Sequence, residues 1–373
     1  MATSKSIVVV IHSLGGGGAE RTLADLTACW ASRGDRVTLV TLSHARDDAY
    51  VLHPDINRIV LDVASESSGL LQGILANLHR VLALRKVFKT IAPDVVLGFM
   101  TTSSVLAVFA ALGLPVRVIA SEHTHPTHQS LSALWRLLRK IAYPLARTVV
   151  TLTEGTAEWI KDNMPHVHLR VIPNPVVWPV ANREPVFEPP PKIANRKRLL
   201  AVGRLHPEKG FDLLIDAFKL IATRQSDWDL VILGEGGARG SLQAQIDQAG
   251  LADRIAMPGR VGNMADWYAS ADMYVLSSRV EGLSNTLLES MAMGLPVVAF
   301  DCDTGPRAII THGLDGLLVR PNGDREALAQ ALLTLIVDEP LQQKLRSAAP
   351  LVRERFSLMS VIARWDQLLE EVA

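Results

Sequence analysis

Short, almost wholly apolar runs alternate along this chain with polar or glycine-rich loops and with segments whose apolar positions recur every three to four residues. Residues 7–11 (IVVVI) read as a buried strand, 15–18 as a loop and 20–33 as a helix. Strands follow at 36–41 and 95–99, then a helix through Ala111, then strands at 116–121 and 148–153. A second series begins at a strand over 198–203. It continues as a helix over 210–222, a strand over 229–234, a helix over 240–250, a strand over 272–276, a helix over 285–293 and a strand over 296–300. Residues 356–372 read as a last amphipathic helix. Uninterrupted apolar strands separated by helices predict parallel sheets covered on both faces. The pattern therefore predicts an α/β protein of two Rossmann-like, doubly wound domains with a cleft between them. Ligands would sit beyond the carboxyl ends of the strands.

The segment 182–197, NREPVFEPPPKIANRK, interrupts the alternation. Its prolines and charges exclude a buried strand or helix. It is expected to be the interdomain linker. The expected division is 1–180, a first domain; 181–197, the linker; 198–355, a second domain; and 356–373, a helix returning to the first domain.

Composition narrows the class. The chain has 373 residues, 48% of them hydrophobic, enough for two cores. Formal net charge is zero, which gives a nucleic-acid partner no support. Residues 1–172 hold 17 Lys and Arg against 13 Asp and Glu; the remainder holds 21 against 25. The first half is thus mildly basic. Cys29 and Cys302 offer neither metal spacing nor a disulfide framework, which fits a reducing compartment. The first apolar run ends in glycines and reads as a strand, not a signal peptide. The longest apolar region, 97–120, is broken by Thr101–Ser104, Gly113 and Pro115, so it does not read as a membrane span.

The chemistry-bearing motifs sit at strand ends. In EGLSNTLLE, residues 281–289, Gly282 permits close backbone approach and Ser284 and Asn285 suit a helix N-cap. A helix N-terminus favours a phosphate. Glu281 and Glu289 flank that terminus; taken alone, each could grip a pair of sugar hydroxyls or be no more than a helix cap and a solvated carboxylate. In VGRLHPEKG, residues 202–210, the cations Arg204 and Lys209 follow a strand and are suited to a leaving diphosphate. Gly15–Gly18 open a helix, but Glu20 stands where the third glycine of a dinucleotide fingerprint would be.

The segment EGLSNTLLESMAMGLPVVAFDCDTGPRAII resembles the corresponding region of retaining glycosyltransferases of family 4, which have the GT-B fold. The resemblance extends from GGGAERTLADLTACWASRGDRVTLVT to the terminal helix. It implies that Glu281 contacts the donor sugar, that Glu289 holds the ribose, and that Leu283, Ser284 and Asn285 present backbone N–H groups. It further implies that Arg204 and Lys209 neutralise the diphosphate, that Gly16 and Gly17 face the donor across the cleft, and that His123 approaches the sugar. Gly234 would admit the nucleotide, and Arg260 and Val261 would meet the base. The implied substrate is a nucleotide sugar, UDP-linked in preference to GDP-mannose. No metal is implied, and Asp301-Cys302-Asp303 is a strand-end loop on this reading.

The implied acceptor is a polyprenyl-diphosphate-linked glycan, as in exopolysaccharide or O-antigen assembly. The segment 134–147 alternates apolar and basic residues; Trp135, Leu138 and Ile141 fall on one side, with Arg136, Arg139 and Lys140 elsewhere. It could rest on an anionic membrane. The expected location is cytoplasmic, peripheral on the inner face of the plasma membrane. Three readings stay open beside a transferase: a sugar-nucleotide epimerase of the same fold, a nicotinamide oxidoreductase, and a non-catalytic sugar-nucleotide-binding protein. A zinc site at His123, His125 and His128 lacks a completing Cys or carboxylate.

Overall fold

A computed structural model describes residues 4–63, 70–193 and 196–372. The chain divides into two compact units, Met1–Asn174 with Leu358–Ala373, and Pro175–Ser357.

The first unit holds seven strands: β1 (Ser6–Ile11), β2 (Arg36–Thr41), β3 (Asn57–Val60), β4 (Val95–Phe99), β5 (Arg117–Glu122), β6 (Thr148–Thr151) and β7 (Leu169–Val171). Its helices are α1 (Gly18–Ser32), α2 (Leu70–Ile91), α3 (Thr101–Ala111), α4 (Ala133–Ala142) and α5 (Glu154–Asn163). The sheet order is β3-β2-β1-β4-β5-β6-β7, every pair parallel. The β-branched runs make this possible, because each central strand is buried on both faces. One face packs α1 through Leu23, Leu26 and Trp30; the other packs α2 and α3 through Leu84, Phe88, Val105 and Val108.

The second unit holds β8 (Lys197–Val202), β9 (Trp228–Leu233), β10 (Ile255–Gly259), β11 (Met273–Leu276), β12 (Val297–Phe300) and β13 (Leu317–Val319). Its helices are α6 (Phe211–Ala222), α7 (Arg239–Gln248), α8 (Met264–Ser270), α9 (Asn285–Ala292), α10 (Pro306–Ile309), α11 (Arg325–Val337), α12 (Glu339–Ala348) and α13 (Val352–Arg355). The order is β10-β9-β8-β11-β12-β13, again all parallel. In both sheets the order reverses beside the first strand, between β1 and β4 and between β8 and β11. That reversal opens a crevice at the carboxyl ends, where ligands of such sheets bind.

The last helix, α14 (Leu358–Val372), belongs to the first unit. It buries Val361, Ile362, Trp365, Leu368, Leu369 and Val372 in the α1 side of that core. Trp365 meets Trp30 edge to face at 6.2 Å, and Asp366 accepts from Trp30 Nε1 at 3.3 Å and from Arg33.

The segment read as a linker lies differently. The chain passes between units at 174/175 and at 357/358, not at 181–197. Among the described residues, 182–193 have no helix or strand, yet they are tied to the second unit. Arg183 N donates to Gly262 O at 2.9 Å, and Gly262 N donates to Pro185 O at 2.6 Å. Phe187 O accepts from Trp267 Nε1 at 2.9 Å and from Asn263 Nδ2 at 3.1 Å. Proline removed the segment's ladder donors, but its carbonyls found side-chain partners instead.

Candidate functional site

In the second unit the site is built at the switch point between β8 and β11. The chain leaves β8 through Gly203 and Arg204, makes a 3₁₀ turn at Pro207–Lys209 and enters α6 through Gly210. Gly210 has φ +62°, and a Cβ there would lie 2.1 Å from Ser277 O, so only glycine lets this loop close on the end of β11. Ser277 Oγ donates to Lys209 O at 2.9 Å, fixing the backbone that carries the lysine. Lys209 Nζ then reaches Glu281 Oε1 at 2.6 Å, and Ser278 Oγ donates to the same oxygen at 2.7 Å. The Glu281 side chain is 7% exposed and that of Lys209 22%. A carboxylate and an ammonium are thus held together where the backbone turns away from the sheet.

A second loop braces Glu281 from behind. Thr304 Oγ1 donates to Glu281 O at 2.6 Å. Gly305, at φ +85°, comes so close that a Cβ would lie 3.0 Å from both Glu281 Cβ and Gly282 O. Cys302 Sγ lies 3.6 Å from Ser278 O in the same layer. Burial pushes its thiol up to about 12, so it is an inert filler and not a nucleophile.

The helix α9 starts as its sequence implies. Ser284 is the N-cap, and its Oγ accepts from Leu287 N at 3.3 Å. Leu283 and Ser284 are buried beside it. Glu289 is buried one turn on and accepts from Tyr268 OH at 3.0 Å. Tyr274 OH donates to Thr286 Oγ1 at 2.8 Å, so one tyrosine from α8 and one from β11 orient this helix turn. The sequence places Tyr274 in the strand read at 272–276 and gives no sign of either tyrosine's bond.

The other expected residues of this unit occupy neighbouring strand ends. Gly203 follows β8, Gly234 follows β9 and Gly259 closes β10, joined as Gly203 N to Leu233 O at 3.0 Å and Gly234 N to Gly259 O at 2.8 Å. Gly234 has φ +137°, and a Cβ would strike Gly203 O at 1.9 Å. Close packing of these loops therefore already requires that glycine. Arg204 and Arg260 are exposed, and Val261 is half-buried. The structure brings Lys209 into contact with Glu281 and leaves Arg204 facing solvent.

In the first unit Gly16 and Gly17 lie after β1, with Gly16 at φ +94°. A Cβ on Gly17 would meet the Glu20 carboxylate at 2.2 Å, so Glu20 folds back over the start of α1. Beside β1, the chain leaves β4 through Met100, a non-glycine residue at φ 70° and ψ 160°. Its N–H donates to Ser121 O at 2.9 Å. This strained backbone sits at the switch point, a place where strain is retained for use. Nothing in the sequence flags it.

His123 follows β5 and is buried, its ring 4.2 Å from that of Phe99 and its Nε2 2.9 Å from Ser121 Oγ. Nδ1 is buried with no partner among the described residues. Burial lowers its pKa to about 3, so the imidazole is neutral at physiological pH. A depressed pKa means that the unfolded chain binds the extra proton between pH 6.5 and about 3. Stability should therefore be full above 6.5 and fall as pH drops through that window, by up to about 1.4 kcal/mol per pH unit. Urea unfolding from pH 7 to 4 should show this excess slope in the wild type and not in His123→Asn. Equal slopes would mean that the ring is not held neutral.

Next to it, Glu122 is wholly buried. It accepts from Thr101 Oγ1 at 2.8 Å, Tyr143 OH at 2.6 Å and Gln129 Nε2 at 2.5 Å, with Arg139 Nη1 at 3.8 Å. Burial raises its pKa against the pull of these donors. This corrects the reading of 134–147. Arg139, expected away from the apolar side, points inward and is 3% exposed. Ile141, expected on the apolar side with Trp135 and Leu138, is 48% exposed. Trp135 and Leu138 pack inward, while Leu134, Leu137, Ile141 and Leu145 face solvent.

No group of three His, Cys, Asp or Glu residues with metal-binding geometry occurs among the described residues. Asp301 is bonded by Arg307 and Arg320, and His125 Nδ1 lies 2.6 Å from Thr127 Oγ1.

Two family models match, together covering most of the chain. Residues 16–177 match "Glycosyltransferase Family 4", and residues 196–338 match "Glycosyl transferases group 1". The chain belongs to the family 4 glycosyltransferases. This transferase is 27% identical to the Campylobacter jejuni GalNAc-α-(1→4)-GalNAc-α-(1→3)-diNAcBac-PP-undecaprenol α-1,4-N-acetyl-D-galactosaminyltransferase, over 98% of each chain. It is 32% identical to an exopolysaccharide phosphotransferase of Streptomyces coelicolor over 78% of its own length, but that match spans only 30% of the longer relative. Among solved structures, Anabaena HepE in complex with UDP and glucose superposes with a TM-score of 0.79 at 21% identity, covering 98% of this chain and 99% of that one. The two parallel-sheet units are thus those of the GT-B fold.

Proposed function

We propose that this transferase moves a hexose or N-acetylhexosamine, with retention at the anomeric carbon, from a nucleotide-diphosphate sugar to a polyprenyl-diphosphate-linked glycan. The product would belong to bacterial exopolysaccharide or O-antigen assembly. The observation that carries this reading is the 2.6 Å Lys209–Glu281 contact at the β8/β11 switch point. Lys209 and Arg204 are suited to the charge that grows on the departing diphosphate, with the N-terminus of α9 as a third positive element. Glu281 is suited to the sugar hydroxyls and Glu289 to the ribose. The N–H groups of Leu283, Ser284 and Asn285 lie at the same helix start. His123, held neutral, is suited to a hydrogen bond to the sugar. On the second unit Gly234, Arg260 and Val261 are suited to the nucleotide, and on the first unit Gly16 and Gly17 are suited to backbone contact with the donor.

In the reaction the bond from the anomeric carbon to the β-phosphate oxygen breaks. The acceptor oxygen bonds on the same face, and its proton passes to the departing phosphate. No metal or other cofactor enters this scheme. The name of the Campylobacter relative, which specifies an undecaprenyl-diphosphate acceptor, and the UDP held by HepE favour a lipid-linked acceptor and a UDP-sugar; GDP-mannose is the alternative donor. A panel of UDP- and GDP-sugars, assayed for nucleotide release with and without a lipid-linked acceptor, tests the reading. Acceptor-dependent release from one donor is expected. Release from none would remove it. Epimerised sugar nucleotide without transfer would replace it with the epimerase reading.

We also propose that α4 rests on an anionic membrane. No helix among the described residues is long and apolar enough to cross one. Leu134, Leu137, Ile141 and Leu145 form an outward stripe, 36–55% exposed, beside exposed Arg136, Lys140 and Arg147. On the same side of the sheet α2, which like α4 packs against α3, exposes Ile74, Leu75, Leu78 and Leu82. Apolar groups flanked by cations suit the headgroup boundary. Flotation with vesicles containing phosphatidylglycerol should recover the protein, and Leu137→Glu with Ile141→Glu should abolish recovery. Equal recovery with neutral vesicles would exclude the charge contribution.

A further inference from the structure

We infer that Arg307 and Arg320 form a second oxyanion-binding site on the second unit, which takes a carboxylate or phosphate group carried by a substrate. Asp301 follows β12, and its side chain is 0% exposed. Its Oδ1 accepts from Arg307 Nε at 2.8 Å, and its Oδ2 accepts from Arg320 Nε. Arg320 directly follows β13, the strand beside β12, and Arg307 comes from the short helix α10, so Asp301 gathers the pair from two separate segments. Both arginines use the Nε edge. Their terminal Nη groups have no partner among the described residues, and the two side chains are 46% and 72% exposed. One arginine would balance the buried carboxylate. The second leaves a net positive charge, with two planar forks anchored to a single point.

Such forks match the paired oxygens of a carboxylate or phosphate. Anchoring them in advance removes part of the ordering cost of binding. The site is tied to the donor motif, because the loop that carries Asp301 also carries Thr304 and Gly305, which touch Glu281 and Gly282. Two substrates could present the oxyanion: a donor whose sugar is a uronic acid, or an acceptor that carries a diphosphate.

The first test does not depend on the transferase reading. The full chain is labelled with phenylglyoxal, which modifies arginine, and modified peptides are read by mass spectrometry. Inorganic phosphate should slow labelling of Arg307 and Arg320 by about threefold or more. It should leave Arg325, which is similarly exposed and paired with Asp216 and Glu326, unchanged. Asp301→Asn should abolish the protection without removing either arginine. If that variant does not fold, Arg307→Lys keeps the charge and loses the fork, and protection of Arg320 should fall.

The kinetic arm rests on the transferase reading. Arg307→Ala with Arg320→Ala should raise one KM about tenfold and leave kcat within about twofold. A rise confined to a UDP-uronic acid, against the neutral UDP-hexose, assigns the donor carboxylate. A rise confined to the diphosphate-linked acceptor, against the same glycan without phosphate, assigns the acceptor. Labelling that phosphate does not slow, or KM values unchanged for both charged substrates, overturns the inference. If no donor is turned over at all, the proposed function fails while the labelling result stands.

Discussion

Lys209→Ala is expected to lower kcat/KM by about 10²–10³-fold, the loss usual for one preorganised charge in a site of this kind. Two effects combine. On the proposed function the departing diphosphate loses a cation, and Glu281 loses the partner 2.6 Å from its Oε1. With its side chain 7% exposed, Glu281 would retain only Ser278 Oγ at 2.7 Å on that oxygen. Leaving it so costs about 1–3 kcal/mol of stability, less than for a fully buried pair because Lys209 is 22% exposed. The fold should therefore survive, and a thermal melt controls for it. Glu281→Ala should lower activity comparably, and the double variant should lose much less than the product of the two, since contacting residues are coupled. Additive losses would separate the two side chains. Activity within about twofold of wild type in both single variants would take the pair out of the site.

Removing α14 should unfold the first unit. Truncation after Ser357 deletes Val361, Ile362, Trp365, Leu368, Leu369 and Val372, none more than 4% exposed. At about 1.5–3 kcal/mol for each buried side chain, the loss is roughly 9–18 kcal/mol as an upper bound. A whole domain commonly has about 5–15 kcal/mol in hand. Trp365→Ala alone should cost about 3–5 kcal/mol, because the cavity would open beside Trp30. Urea unfolding followed by tryptophan fluorescence, with limited proteolysis to locate the unfolded part, tests both. A truncated chain whose residues 4–174 resist protease as the full chain does would contradict this account.

Much of the architecture was legible because β-branched runs such as IVVVI at 7–11 have few alternatives to a strand buried on both faces. The three-residue strands β7 and β13 were not legible, since so short a run carries no period. The boundary was misplaced for a similar reason. Proline marks where a strand or helix cannot be, but 182–193 is held to its unit by Asn263 and Trp267, which lie some eighty residues on. The site was legible where chemistry demands local spacing. Ser284 caps α9 as its type and position require, whereas the turn that only glycine permits at Gly210 depends on Ser277, 67 residues on.

By itself the sequence determined two parallel-sheet domains, the family, and the residue types at the strand ends and at the start of α9, because hydrophobic period and turn chemistry act over a few residues. Only the tertiary structure decided that Lys209 meets Glu281 across 72 positions. It alone turned Arg139 inward to Glu122 and left leucines outside, and it alone gave Asp301 two arginines. These are encounters between distant segments. They depend on the strand order that brings loops together, and that order is fixed by the packing of the whole sheet.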